Sequence, residues 1–216
     1  PLIDHNWSSR YNVTRADQWH AAGQVMRAID ADCILVVEAP NHTTGRSTVD
    51  MLERFAGAFG LRAAQAALGF TNDTQQELAF SYDPHRCSIR HVSMSAPDFP
   101  RFDGTYSIDL DVDAVSDRIR FSKRPFEAEL MCHDGRRITL IGAHLKSKAP
   151  HGARSKDEAM LISIANRRKQ LAQALFIRGR VDQVLDIGAE VIVLGDLNDG
   201  PGLDVYEELF SRSSVE

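Results

Sequence analysis

Glu190-Val191-Ile192-Val193-Leu194-Gly195-Asp196-Leu197-Asn198-Asp199-Gly200-Pro201 passes from a continuous apolar run into a glycine, an acid, an amide and a turn. Four consecutive apolar residues bounded by turn formers predict a fully buried strand. Residues i and i+2 of a strand project to the same side, so Asp196 and Asn198 are expected to present a carboxylate and an amide together at a sheet rim. A carboxylate can hold a metal or take a proton from water, and an amide can donate to an oxyanion or hold that water in place. The pattern is equipment for hydrolysis.

Upstream, helix and strand signals alternate. Thr14 and Asp17 make a capping-box pattern ahead of Trp19, Ala22, Met26 and Ile29 at helical spacing. Asp32 to Glu38 reads as a buried strand ending in an acid. Ser47 and Asp50 open a second helix, with Val49, Leu52, Phe55 or Ala56, and Phe59 as its inner stripe and Gly60 as its stop. Strands are predicted over 77–82, 118–121, 126–132 and 137–144, with Asp83-Pro84 as a turn and His133-Asp134-Gly135 as a hairpin. Over 107–113, Ile, Leu and Val alternate with Asp, which suits an edge strand with one wet face. Ser155 and Glu158 start a long helix through Leu161, Ile164, Leu171 and Leu175 to Ile187, closed by Gly188, with Gly179 a candidate break. A short helix is expected around 204–210. Hairpins mixed with crossover helices predict an α/β fold, two mixed and mainly antiparallel sheets packed face to face with helices outside, in one domain over 1–216.

The 216 residues are 43% hydrophobic and 25% charged, ordinary for a soluble globular protein, with a net charge of −5. That charge argues against a protein that coats nucleic acid without specificity, but not against a nuclease with a local basic patch. No apolar stretch approaches a membrane span and no signal peptide is visible. The first residue is Pro1, so a targeting segment could already be absent; the expectation is a monomer, with the cytoplasm slightly favoured. Cys33, Cys87 and Cys132 lack any CxxC spacing, so neither a disulfide framework nor a zinc site is expected, and Cys33 reads as a small core residue.

Each candidate has a plainer reading. Glu38 alone is a solvated strand-terminal acid, His144 a hydrogen-bonded core histidine, and Asp196 and Asn198 ordinary turn residues. Asp196, Asn198 and Glu207 also stand at positions one, three and twelve of a calcium loop. Gly200 and Pro201 then fall where that loop needs its fifth ligand and its glycine, and a strand precedes it, so the loop reading fails.

Val36-Val37-Glu38, Gly142-Ala143-His144-Leu145-Lys146-Ser147 and Gly195-Asp196-Leu197-Asn198-Asp199, in this order and separation, together resemble the endonuclease/exonuclease/phosphatase superfamily. Phe121-Ser122-Lys123-Arg124-Pro125 ahead of the Asp-Gly hairpin is similar to its bacterial members. The resemblance implies a DNase I-like, four-layer α/β sandwich. It also implies Mg²⁺, with Mn²⁺ or Ca²⁺ as alternatives, supporting hydrolysis of a phosphate ester by in-line attack of water. On that basis Glu38 and Asn6 would hold the metal, and His144, Asp196 and Asn198 would be catalytic. Lys146, Ser147 and Asn41 would bind substrate, a phosphate ester with nucleic acid among the options. Lys146, Lys148, Arg154 and Lys156 could steer a polyanion, or simply be a solvated loop and helix start. The family closes with a strand bearing an Asp-His pair, and no His follows Asn198. The chain is thus expected to lack C-terminal strands, and its first strand is in question too. It is either a truncated member, the favoured expectation, or a degenerate one that serves as a non-catalytic binding module.

Overall fold

In the computed structural model, which describes residues 7–8, 12–72, 76–92, 101–109, 116–200, 202–209 and 215, two sheets stack through their apolar faces. In chain order the elements are β1 (Trp7–Ser8), β2 (Val13–Thr14), α1 (Arg15–Ile29), β3 (Cys33–Pro40), α2 (Thr48–Phe59), β4 (Gln65–Leu68), β5 (Gln76–Tyr82) and β6 (Cys87–His91). They continue with β7 (Tyr106–Ile108), β8 (Asp117–Ile119), β9 (Phe126–Cys132), β10 (Arg137–His144), α3 (Lys156–Asp186), β11 (Glu190–Asp196) and a 3-10 turn, Glu207–Leu209. One sheet has the order β3-β5-β4 and the other β11-β10-β9-β6. Only the β10–β11 pair of these is parallel.

Alternation along the strands builds the layers. Leu140 of β10 faces inward with Phe126, Ala128 and Leu130 of β9, against Leu78 and Phe80 of β5. Its neighbours Ile141 and Ala143 face outward, onto Ala172, Phe176 and Ile177 of α3. On the other side Leu52 of α2 covers Ala39 and Ala79. The result is helix, sheet, sheet, helix, the sandwich that the strand and helix pattern predicts.

Local signals hold where the chemistry is local. Thr14 and Asp17 cap α1 reciprocally, Ser47 and Ser155 accept the backbone N–H groups of Asp50 and Glu158, and Gly60 ends α2 in the left-handed region. The Asp134-Gly135 hairpin joins β9 to β10 with Gly135 at φ +89. Predictions that needed a partner element fare worse. The buried side of α1 carries Ala16, Trp19, Gly23 and Met26, while Ala22 and Ile29 are exposed. Gly23 is on the inside because a Cβ there would lie 2.4 Å from the Phe59 ring, so glycine lets α2 approach. Helix α3 runs unbroken through Gly179, and Leu161 is exposed. β4 and β6 have no counterpart in the sequence reading; of the alternating stretch 107–113, residues 110–113 lie outside the described residues, as does Phe210.

The strand of the opening motif is a correction. β11 lies at the end of its sheet, with Ile192 47% and Val193 38% exposed, rather than fully buried. An apolar run specifies a strand that one or both faces can cover, and its place in the sheet is a tertiary matter.

The three cysteines also meet. Cys87 and Cys132 stand opposite each other on β6 and β9, and Cys33 packs on the same cluster. All three are free thiols, and burial pushes Cys33 up to about 12, with the other two thiols and Asp32 adding to the shift.

His91, at the end of β6, sits edge-on to Phe70 and Phe126 at 4.6 and 5.0 Å, with Nε2 buried and unbonded. Burial chiefly, and Arg101 next, lower its pKa below the ordinary 6.5, with Glu127 and Asp103 opposing. A lowered histidine pKa means the unfolded chain takes up the proton more readily. Its contribution to stability is therefore complete above about 6.5 and lost as pH falls through the folded-state value. The thermal midpoint should drop as pH is taken below that point, and His91→Phe should flatten the drop; an equally steep fall in the variant would assign the acid limb elsewhere.

Candidate active site

A bulge in β3 makes the first part of the site. Pairing with β5 runs through Val37 opposite Leu78 and resumes with Ala39 opposite Glu77, leaving Glu38 unpaired at φ +59. A non-glycine residue held there costs about 1–3 kcal/mol and is sustained by its surroundings. The bulge turns Glu38 away from the regular pleat. Its half-exposed carboxylate accepts a hydrogen bond from Lys123 Nζ at 3.0 Å.

The second part comes from the parallel ends of β10 and β11. Register pairs His144 with Asp196, each the last residue of its strand, so parallel pairing brings both side chains to one rim. His144 Nε2 is 3.8 Å from Asp196 Oδ2, and its Nδ1 is 3.1 Å from Lys123 Nζ. With the ammonium donating to Nδ1, the neutral imidazole carries its proton on Nε2. Burial and then Lys123 push the His144 pKa down, against the pull of Asp196 and Glu38.

Gly195 sets the spacing of these ends. At φ +140, a Cβ on it would fall 1.9 Å from the Ala143 carbonyl oxygen, so only glycine lets the two strands close here. Beyond it the chain leaves the strand at once. Asn198 is left-handed at φ +52; its N–H donates to Asp196 Oδ1 at 2.8 Å and its side-chain Nδ2 to the Leu145 carbonyl at 3.0 Å. The two side chains thus line one cavity as an Asx turn, not as successive same-face strand positions, and one hydrogen of the Asn198 N–H₂ is committed to the backbone.

Helix α3 pins the loops. Buried Gln173 accepts from Lys146 N–H at 2.9 Å and donates to the Arg120 carbonyl at 3.2 Å. Buried Gln170 donates to the carbonyls of Leu197 and Asn198 at 2.9 and 2.8 Å. Behind the turn, Lys148 pairs with Asp199 and Glu207, and Arg167 holds Asp204 through Nε at 2.8 and 2.9 Å. The Arg167 guanidinium is the main reason the Asp204 carboxyl falls to about 2.

Glu38, Lys123, His144, Asp196 and Asn198 thus surround one cavity of about 350 Å³, to which Lys146, Ser147 and Ser122 also contribute. Several expected residues stand elsewhere. Asn41 is not on this cavity, Lys148 is spent on carboxylates, Arg154 and Lys156 are exposed away from its lining, and Asn6 lies outside the described residues. Lys123, Gln170 and Gln173 carry no assigned role in the sequence reading. The Phe121–Pro125 segment was the available signal for Lys123; a glutamine within a long helix reads as surface.

No family model matches this chain, and no curated protein does. Among solved structures it is similar to humanized D. rerio TDP2, with a TM-score of 0.47 and 12% identity over 91% of this chain and 60% of that one. It is also similar to ANGEL2, a 2',3'-cyclic phosphatase, with a TM-score of 0.42 and 13% identity over 87% and 45% of the two chains. The chain therefore spans less than two thirds of the length of either structure.

Proposed function

We propose that this chain hydrolyses phosphate esters by in-line attack of water, as a member of the endonuclease/exonuclease/phosphatase group that its motifs resemble. The observation that carries the reading is the meeting of Glu38, His144 and Asp196 around one cavity, from strands far apart in the chain. Asp196, at the strand end with one oxygen tied to Asn198 N–H, orients a water and takes its proton. His144 Nε2–H and the Lys123 ammonium donate to the phosphate oxygens as charge builds. Asn198 is a positioning residue that fixes Asp196 against the Leu145 carbonyl.

Among the described residues no group of three or more His, Cys, Asp or Glu side chains is arranged to hold a metal. The half-exposed carboxylate of Glu38, with one oxygen on Lys123, nevertheless fits a cation such as Mg²⁺, which is commonly held by one or two carboxylates, waters and substrate phosphate rather than by an all-protein cage. Glu38 would hold it, with Asn6 as a second ligand; Mn²⁺ or Ca²⁺ are the alternatives. The cation would supply charge neutralisation at the phosphate.

The test is a panel of p-nitrophenyl phosphate and bis(p-nitrophenyl) phosphate, assayed with Mg²⁺, Mn²⁺ or Ca²⁺ and after chelation. Release of nitrophenol that needs the cation and vanishes on chelation is expected. No release from either ester with any cation would overturn the hydrolytic reading and leave the binding module.

A further inference from the structure

Several cations held against the core or the loops are answered by carboxylates: Lys148 by Asp199 and Glu207, Arg167 by Asp204, Arg180 by Glu127, Arg62 by Asp30 and Asp32. A second cavity, of about 380 Å³, gathers cations that are not so answered. Arg120, Arg124 and Lys169 line it together, and none of them has a carboxylate partner among the described residues. The Arg124 guanidinium lies over the Phe70 ring, 5.2 Å from its centroid, so a ring face rather than an anion holds it. Among the described residues the one acid on the cavity, Asp103, is taken by Arg101 at 2.8 Å. Three like charges line one hollow, where an entering anion would relieve their mutual repulsion, and the chain as a whole has a net charge of −5, so the cluster is not a by-product of a basic surface.

Its position gives the cluster a use. Ser122 lines both this cavity and the one around His144 and Asp196, so the two adjoin across that residue. Consecutive residues serve them: Lys123 reaches Glu38 and His144, and Arg124 turns to the other side. Gln173 of α3 fixes the Arg120 backbone, and Lys169 lies on that same helix. Guanidinium groups suit phosphate because their planar forks meet two oxygens at once. The geometry points to a second phosphate site: Arg120, Arg124 and Lys169 bind a further phosphate of the same substrate whose scissile phosphate faces Asp196 and His144. This deepens the hydrolytic reading and rests on it; the substrate would be a phosphate ester carrying at least two phosphates, a polynucleotide or a small polyphosphate.

Equilibrium binding tests the site without requiring turnover. The probes are a single-stranded thymidine hexanucleotide and inorganic pyrophosphate, each titrated over a range of salt. Arg120→Ala/Lys169→Ala, both at exposed positions, removes two of the cations; Arg27→Ala/Arg54→Ala removes the same charge from exposed positions on α1 and α2 as a control. For the first variant, affinity should fall at least about tenfold. Its dependence of log affinity on log salt for the oligonucleotide should shrink by about 1.4, two contacts at roughly 0.7 each. The control should move neither quantity appreciably, and Lys169→Gln alone should shrink the slope by about half as much. Loss for both probes assigns generic phosphate binding, loss for the oligonucleotide alone a polynucleotide, and loss for pyrophosphate alone a small polyphosphate. Equal effects of the two double variants, or no effect of the first, overturn the proposal. The hydrolytic reading stands or falls separately, on release of nitrophenol from the single-phosphate esters.

Discussion

Asp196→Ala should lower the turnover of a phosphodiester by about 10²–10⁴-fold, the usual contribution of a positioned acid or base. Asp196 is half-exposed, so its removal leaves no buried group unpaired; the one bond lost is the 2.8 Å contact from Asn198 N–H. Loss of that bond costs about 1 kcal/mol and could loosen the turn by itself. Asp196→Asn separates the two effects, because an amide oxygen still accepts from Asn198 N–H but cannot take a proton from water. Both variants should lose turnover while the asparagine variant keeps the wild-type thermal midpoint. Initial rates with the cation present, read beside the melting curve, decide the matter. Wild-type rates in the asparagine variant would remove Asp196 from the reaction.

The second large effect is on stability. Glu127 and Arg180 are 2% and 3% exposed and pair in two parallel contacts, Nη2 to Oε1 at 2.7 Å and Nε to Oε2 at 3.1 Å. Glu127→Ala leaves a buried guanidinium whose remaining side-chain acceptor is Gln183 Oε1 at 2.6 Å. Breaking one side of such a pair costs about 3–5 kcal/mol, whereas replacing both charges by apolar groups of similar size is often neutral or stabilising. Urea denaturation should therefore rank Glu127→Ala well below the wild type, with Glu127→Leu/Arg180→Met close to it. A loss under about 1 kcal/mol in the single variant would mean that water screens the pair. The effect matters for function because α3, which this pair joins to β9, also carries the Gln170 and Gln173 side chains that hold the loops of the candidate site.

Much of the fold is legible in the chain because it is written in local chemistry. Thr14-x-x-Asp17 satisfies helix-end donors with atoms three residues away, and Asp134-Gly135 makes a turn that needs a positive φ. β5 and β9 combine strand-type runs with a clear turn after each, and each appears where the sequence predicts it. The misreadings have one cause. α3 buries Gln170, Gln173 and Arg180 among Ala172, Phe176, Ile177 and Val184, so polar residues blur the apolar periodicity of its inward face. β11 reads as buried because its composition is that of a central strand, yet its outer edge has no neighbour among the described residues. α1 turns Gly23 inward because the Phe59 ring occupies the space, which no property of α1 alone reports.

The opening motif divides in the same way. The sequence by itself determined that an apolar run would end in an acid at a strand terminus, and that His144 would end a strand of its own, because strand and turn propensities act within a few residues; the strand expected to stop at Glu38 instead runs on to Pro40. Tertiary structure alone decided that β11 runs parallel to β10 in the register that sets Asp196 beside His144, and that a bulge frees Glu38 to face them. It alone put the Lys123 ammonium between Glu38 and His144, and the Arg120, Arg124 and Lys169 cluster next door. Register and layering are chosen by the packing of whole faces, and long polar side chains reach across those layers without leaving any period in the sequence.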